Sequence, residues 1–481
     1  MRAGWLGAVV AAGVAVGVAG LEPAGVAVAV GKGAWTGLWI LLIVVPALLL
    51  FELAQRAGAI RRLAEELGRL AGTRARQLLL FGWAVPSFVQ GVAGFGVPIV
   101  VAAPMLVAAG FAPAAAVAAV LVGYHWSVTF GSMGSSFFVA SGTAGLDAAD
   151  TERFALLAAT VLAANALLAG ALLLRRAGAG AREAVVPALV TALVMGAVLI
   201  GVASVQPALG STTAGLAGVV TLTLLLRRRG GPIAPRTVTL AAAPYALLTG
   251  LVIVGVGLPP VRAVLEQAPT LAPAFPATAT RFVETAATPA HQPLDLLLHP
   301  WGYLLLAAAA TWALYRRIGW LAAGDGRAAL RGWGGRAWRT AASLLGLTIL
   351  AALMVEGGLM ARLADAFVAA LGPGFAAVSP LLGSVGTAVT GSTTASNALL
   401  APLQAGAAER LGADVATLLT GQTAGGNVGN AITPLNVAIA AAAVGASGQE
   451  GAIIRDAARD AVPLLALLAV TITALVLLGP T

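Results

Sequence analysis

Apolar runs of roughly membrane-crossing length follow one another along almost the whole chain. A spanning helix needs about 20 consecutive, mostly apolar residues. Candidate runs lie at 4–20, 34–55, 77–109, 112–139, 153–174, 184–203, 209–226, 237–257, 300–318, 340–360, 375–409, 413–446 and 461–479. Several exceed one span and are interrupted by glycine-rich breaks. The pattern predicts an all-α polytopic membrane protein with about 11 to 14 spans. The first 20 residues read as a first span and not as a cleaved signal, because no small-residue cleavage site stands out.

The polar intervals divide these runs into halves and give them a direction. Residues 258–299, rich in proline and threonine and without periodicity, read as an external loop. It links an N-terminal half, 1–257, to a C-terminal half, 300–481. Arginines cluster at 56–76, at Arg175, Arg176 and Arg182, at Arg227, Arg228, Arg229 and Arg236, and from Arg316 to Arg339. Such clusters mark cytoplasmic loops, so a multi-pass cell-membrane protein is expected, with these loops inside. The acidic residues Asp147, Asp150, Glu152, Glu266, Glu284 and Asp295 fall in the intervals between clusters and read as external. Three apolar runs separate the first two clusters, yet both can face one side only if the crossings are even in number. One run must therefore be re-entrant, and the glycine-broken 77–109 is the best candidate.

Composition agrees: 59% of residues are hydrophobic and 10% charged, with a mean hydropathy of +0.94. Soluble domains carry about 25% charged residues, so lipid has to cover this surface. The formal charge of +9 sits in inter-helix clusters, which argues for membrane topology and against nucleic-acid binding. The chain has no cysteine and three histidines. Disulfides and thiolate metal sites are excluded, and neither a metal nor a cofactor is expected. No phosphate-binding loop, HExxH or GxSxG motif is present. An enzyme, or a pump driven by nucleotide, is therefore not expected from this chain.

Two regions combine glycine with polar residues. Break 1 (90–134) contains Gln90-Gly91-Val92-Ala93-Gly94-Phe95-Gly96-Val97-Pro98 and Tyr124-His125-Trp126-Ser127-Val128-Thr129-Phe130-Gly131-Ser132-Met133-Gly134. Break 2 (390–434) contains Thr390-Gly391-Ser392-Thr393-Thr394-Ala395-Ser396-Asn397 and Gly421-Gln422-Thr423-Ala424-Gly425-Gly426-Asn427-Val428-Gly429-Asn430. At an offset of 298, Ala103-Pro104 meets Ala401-Pro402 and Gly123 meets Gly421. An internal repeat follows, inverted if an odd number of crossings separates the copies, which is the orientation expected here. Backbone that leaves a helix at membrane depth survives only where protein or a water-filled cavity satisfies it. Secondary transporters place such breaks at a substrate site between repeats. The competing reading is that these small residues only let helices pack closely. Two paired polar breaks favour a binding site.

At these residues the sequence resembles the L-lactate permease family, which includes glycolate permeases. The likeness rests on GVAGFGVP at 91–98, Val128-Thr129-Phe130-Gly131, Ser379-Pro380-Leu381-Leu382-Gly383, TGSTTASNAL at 390–399, Gly425 through Pro434, and Ala438 through Gly445. The resemblance implies a carrier that imports small 2-hydroxy monocarboxylates with a proton, through repeats with re-entrant hairpins. It also departs from the family: Gln90 stands where the pattern has glutamate, Thr393 where it has aspartate, Asn430 where it has lysine, and Tyr124 where it has asparagine. Three ionisable positions are thus neutral, which bears on proton coupling.

The expected substrate site comprises Gln90, Gly91, Gly94, Phe95, Gly96, Tyr124 and Ser127 from break 1. Break 2 contributes Ser392, Thr393, Thr394, Ser396, Asn397, Gln422, Thr423, Gly425, Gly426, Asn427 and Asn430. Glu356 and His125 are the candidate proton carriers, since ionisable groups inside a bilayer are costly and usually functional. Against them stand an interfacial place for Glu356 and a helix-contact role for His125. Glu52 reads as interfacial, and Glu409, Arg410 and Asp414 as a solvated turn. The expected cargo is L-lactate, with D-lactate or glycolate as alternatives. A same-fold carrier or exporter for another organic anion, and an anion channel, remain rivals. The expected surroundings are lipid, and a homo-oligomer is left open.

Overall fold

Helix is the one secondary structure that satisfies the backbone of a single apolar segment in lipid, and helices dominate the computed structural model. It describes residues 2–69, 71–92, 94, 96–226, 234–322 and 324–478. The first half comprises α1 (Arg2–Gly17), α2 (Pro23–Arg56), α3 (Ala59–Gly68), α4 (Arg74–Gln77), α5 (Val85–Val92), α6 (Val97–Ala108), α7 (Pro113–Tyr124), α8 (Gly131–Ala144) and α9 (Ala148–Ala177). Next come α10 (Val185–Ala203), α11 (Gly210–Leu226), α12 (Pro235–Val252) and α13 (Pro259–Leu265). Four two-residue strands follow: β1 (Thr270–Leu271) pairs antiparallel with β4 (Leu294–Asp295), and β2 (Thr278–Ala279) with β3 (Glu284–Thr285). The chain ends with α14 (Pro300–Arg317), α15 (Asp325–Glu356), α16 (Leu359–Leu371), α17 (Phe375–Thr390), α18 (Thr393–Leu411), α19 (Val415–Asn430), α20 (Pro434–Ala443) and α21 (Glu450–Leu478). Among the described residues eight helical stretches are long and apolar enough to cross a membrane, nine with the α7–α8 pair, which bends by 56° at its break. The larger count expected from sequence included arms of the broken segments that are each shorter than a span, and the runs 4–20 and 300–318, whose helices α1 and α14 are not among the eight.

The described parts of the four arginine clusters share one face. Arg76 pairs with Glu183 at 3.4 Å, Glu66 accepts from the Ala234 N–H at 2.7 Å, and the Arg62 guanidinium lies 4.8 Å over the Trp320 ring. Of the third cluster, Arg227, Arg228 and Arg229 fall outside the described residues. Segment 258–299 covers the opposite face, where Trp35 and Trp39 donate to the carbonyls of Gln292 and Pro293 at 3.0 and 3.1 Å.

This frame shows how each broken segment runs. The Arg74 guanidinium sits 4.3 Å over the Phe111 ring, so 74–111 enters from the arginine face and returns to it: α5–α6 is a re-entrant hairpin. The α7–α8 pair then crosses to the loop face, where Gly142 abuts Gln292. In the second half, Asp414 before α19 pairs with Arg153 at 3.2 Å, near the loop-face start of α9. Ser379 donates to the Leu418 carbonyl at 2.9 Å, so α17 runs beside α19 and begins on that same face. The α17–α18 hairpin therefore enters from the loop face, opposite to its counterpart. The α19–α20 pair crosses back, and α21 begins at the arginine face, where Arg176 reaches Asp456 and Asp460 at 2.7 Å each. The repeat is inverted.

It also extends beyond the glycine-rich stretches. Helix α2 (34 residues) is followed two residues on by Gly58 (φ +65°), and α15 (32 residues) two residues on by Gly358 (φ +70°). Each left-handed turn leads into a short helix, α3 or α16, then a hairpin, a broken span and a long helix, α9 or α21. Glycine suits both turns because the positive φ carries no Cβ penalty. Helices α2 and α15 themselves cross tightly, and a Cβ on Gly33 would lie 2.5 Å from the Ile349 Cα. Helices α10 to α14 and segment 258–299 lie between the two copies.

Candidate functional site

All four broken segments interrupt their helices at the centre of the protein. Gly96 (φ +83°) caps α6 and Gly391 (φ +82°) ends α17. Pro98 in the first turn of α6 and Pro434 at the start of α20 occupy positions where a missing N–H costs nothing. The α7–α8 break is harsher. Ser132 (φ +47°) and Met133 (φ +56°) precede Gly134 (φ +73°) in a left-handed turn. Non-glycine residues pay about 1–3 kcal/mol each for such conformations, which cluster at functional sites. Here the turn aims the Ser132 hydroxyl at the Gly94 N–H, which donates to it at 2.8 Å.

Between the breaks lies a cavity with ≈ 40 Å³ open to the centres of water molecules. One water needs about 10–15 Å³ by this measure, so the space is on the scale of a carboxylate head. Of the expected site residues it brings together Gln90, Gly96, Tyr124, Ser392, Thr393, Thr394 and Asn430. It adds Val128, Ser132, Ser135, Ser136, Gly391 and Asn436, which the sequence reading had not placed in the site. Among these described lining residues none carries a charge. Ser136 and Thr394 share a hydrogen bond of 2.7 Å across the two repeats. Asn430 donates to the Tyr124 hydroxyl at 3.1 Å and accepts from Asn436 at 2.6 Å. The N-cap Ser392 makes no side-chain cap bond, and Ser392, Thr393 and Thr394 line the cavity, which sets the N-terminus of α18, the positive end of its dipole, in the cavity wall.

A second polar layer lies behind this wall. Asn397 donates to the Thr423 hydroxyl at 2.9 Å, Asn427 donates to the Thr129 hydroxyl at 2.8 Å, and the two hydroxyls are 3.0 Å apart. Thr129 and Asn427 stand 298 residues apart, the offset read from sequence, so repeat mates meet here. Gln422 donates to Ser396 and accepts from Gln404, both at 3.1 Å.

The other expected residues lie elsewhere. Gly91 abuts the backbone of Ser211 and Thr212, while Gly425 abuts Pro380, and Gly426 lies against Thr387 and Thr393. Ser127 donates to the Tyr124 carbonyl at 2.7 Å. Gly94 borders the cavity through its bond to Ser132, and Phe95 falls outside the described residues. His125 is fully buried, with Nδ1 2.7 Å from the Val122 carbonyl and Nε2 3.4 Å from Asn165. Glu356 sits near the loop face, 2.7 Å from Lys32 and hydrogen-bonded by Thr278. Glu52, read as interfacial, is buried against Arg56 and Arg336. Ser135 and Ser136 directly follow a quoted motif, and Asn436 follows Pro434; polarity beside a break was the signal available for all three.

Known proteins share this architecture. The solved structure of the YdaH transporter of Alcanivorax borkumensis aligns over 93% of this chain and 87% of that one, with a TM-score of 0.51 at 17% identity. The L-lactate permease of Escherichia coli K12 is 27% identical over 471 residues, covering 88% of this chain and 82% of the relative. The glycolate permease GlcA of the same strain is 26% identical over 481 residues, covering 89% and 83%. The profile of the family described as L-lactate permease matches residues 1–479, nearly the entire chain, and this chain belongs to the L-lactate permease family.

Proposed function

We propose that this protein is a secondary carrier that imports small 2-hydroxy monocarboxylates across the cell membrane, its arginine-rich face in the cytoplasm. L-lactate is the first cargo, and D-lactate and glycolate fit the same chemistry. One observation carries the reading: a small uncharged cavity between oppositely inserted hairpins, walled by Ser, Thr and Asn and by the N-terminus of α18. Hydroxyl and amide donors with a helix N-terminus hold a carboxylate without fixing it by a full countercharge, so the anion can also leave. Related proteins named for lactate and glycolate support the cargo class. Proton symport, the coupling implied by resemblance, would fall to His125 or Glu356. Neither lines the cavity, so the reading rests on the carboxylate. Alternating access would follow from the inverted repeats, whose hairpins close the site from opposite faces.

In proteoliposomes the purified protein is expected to take up labelled L-lactate saturably, to show counterflow when preloaded with unlabelled lactate, and to be inhibited by glycolate. Conduction that neither saturates nor shows counterflow would make it a channel. No uptake of either acid by folded protein would sink the substrate class.

Gln90→Glu supplies a second test. It places a carboxyl in the wall of a cavity that binds an anion. Two carboxylates sharing so small a site cannot both stay ionised. Uptake by the variant is expected to require a proton, falling about tenfold per pH unit above the new group's pKa, whereas the parent lacks this step. Identical pH profiles would remove Gln90 from the site.

A further inference from the structure

A second cavity lies at the arginine face, away from the polar one. It measures ≈ 690 Å³ on the scale that gives ≈ 40 Å³ for the first, within the range of sites that enclose whole organic ligands, about 300–1,000 Å³. It separates the end of α2 and helix α3 from α6, the returning arm of the first hairpin. Phe51, Phe81, Val100, Val101, Pro104 and Met105 give it an apolar wall, and α3 contributes Arg61 and Glu65, both exposed. The other polar lining residues, Gln55 and Gln77, carry no charge. Val100 stands one turn from the central break at Gly96 and is still 45% exposed, so apolar surface is left uncovered deep beside the hairpin.

Depth and charge define what covers it. From Val100 to Ala108 the wall follows α6 for about 12 Å at 1.5 Å per residue, close to the thickness of one leaflet, about 15 Å. Water held there would keep the apolar wall hydrated, whereas an acyl chain removes it from water. Helix α3 buries Ile60, Leu63 and Leu67 and exposes Arg61, Glu65 and Arg69, the pattern of a helix lying at the level of lipid headgroups. Arg61 Nε and Glu65 Oε1 are 3.9 Å apart, with side chains 75% and 63% exposed. An ion pair so exposed is worth little, so an incoming headgroup can part it. A phosphate suits the guanidinium, which donates a fork of hydrogen bonds to it. A primary ammonium suits the carboxylate, which only accepts. The two-carbon spacer of ethanolamine holds a phosphate and an ammonium about as close together as side chains one helical turn apart.

We propose that this cavity binds one phospholipid of the ethanolamine class, with an acyl chain along α6 and the phosphate and ammonium on Arg61 and Glu65. The lipid fills the space between α6 and the corner made by α2 and α3. Helix α6 is capped by Gly96, which lines the polar cavity, so occupancy bears on the hairpin that closes that site. The lipid site is independent of the cargo, and its failure leaves the carrier reading untouched.

Thermal unfolding of the delipidated full chain in detergent reads the binding. Phosphatidylethanolamine is expected to raise the midpoint saturably. Phosphatidylcholine and phosphatidylglycerol of the same acyl chains should need about three- to fivefold more to reach half-saturation, the weight of one exposed charge pair. Choline has no N–H to donate to Glu65, and glycerol has no positive charge. Glu65→Gln should erase that preference, and Arg61→Gln should weaken binding of all three lipids about three- to fivefold. Ala108→Phe, which narrows the space beside α6, should abolish saturable stabilisation by each of them. If Ala108→Phe does not fold, the two α3 variants still decide, because both side chains are exposed. No midpoint shift with any of the lipids overturns the proposal. Equal shifts that none of the variants alters are the mark of ordinary surrounding lipid and overturn it too. A preference for phosphatidylglycerol that persists in Glu65→Gln overturns the headgroup assignment.

Discussion

Gly425→Ala is expected to destabilise the folded protein by about 3 kcal/mol or more, the upper range for overpacking, and to abolish transport with it. A Cβ on Gly425 would stand 1.9 Å from the Pro380 carbonyl oxygen and 2.5 Å from two further backbone atoms of that residue. No side-chain rotation relieves a clash with backbone, so α17 and α19 would have to move apart. They interlock from both sides: a Cβ on Gly383 would lie 2.0 Å from the Gln422 carbonyl oxygen, and one on Gly429 2.4 Å from that of Ser384. Parting them would open both the cavity and the layer behind it, since α19 carries Thr423, Asn427 and Asn430. Thermal unfolding in detergent should show the loss. Gly13→Ala is the control, because a Cβ there meets nothing within 4 Å. It sits inside α1, where alanine is the better helix former by about 1 kcal/mol. Equal behaviour of the two variants would sink the packing argument.

The two readings of small residues in a broken membrane helix, binding site and close packing, divide residue by residue in this protein. Gly425, Gly426 and Gly91 serve packing, whereas Gly96 and Gly391 turn the chain at the cavity. Sequence could not separate these groups, because all are glycines in similar polar surroundings. The long spans were legible. Runs expected at 184–203 and 209–226 are α10 at 185–203 and α11 at 210–226, since continuous hydropathy leaves few alternatives in lipid. The re-entrant 77–109 could be read from the charge on either side of it. The hairpin 375–411 could not, because no arginine cluster flanks it to fix its face. Ser135, Ser136 and Asn436 escaped for a different reason. The left-handed turn at Ser132 and Met133 sets the direction of the helix that follows, and no residue type announces positive φ at serine or methionine. Long-range pairing was hidden as well: Glu356 stood out, while its partner lies 324 residues away at Lys32.

That pair yields the second large effect. Glu356→Ala is expected to cost about 3–5 kcal/mol, the range for removing one member of a buried ion pair. The Lys32 and Glu356 side chains are 8% and 3% exposed and 2.7 Å apart, so the remaining ammonium would be enclosed without its counter-ion. Among the described residues Lys32 has no other ion-pair partner. His291 lies within electrostatic reach of the pair, and burial, with the Lys32 ammonium second, holds its pKa below the ordinary range, which keeps it neutral. Thr278 bonds to the same carboxylate, so the pair also ties segment 258–299 to α2 and α15, the helices that open the two repeats. Replacing both members, Lys32→Met with Glu356→Leu, should restore most of the stability or exceed the parent by about 1–4 kcal/mol, because neither charge then needs desolvation. The double variant also separates the two roles open to Glu356. A clasp predicts that stability and lactate uptake return together. A proton carrier predicts a folded double variant whose uptake no longer responds to a proton gradient that drives the parent. A double variant as unstable as the single one would show that the charges act through something other than each other.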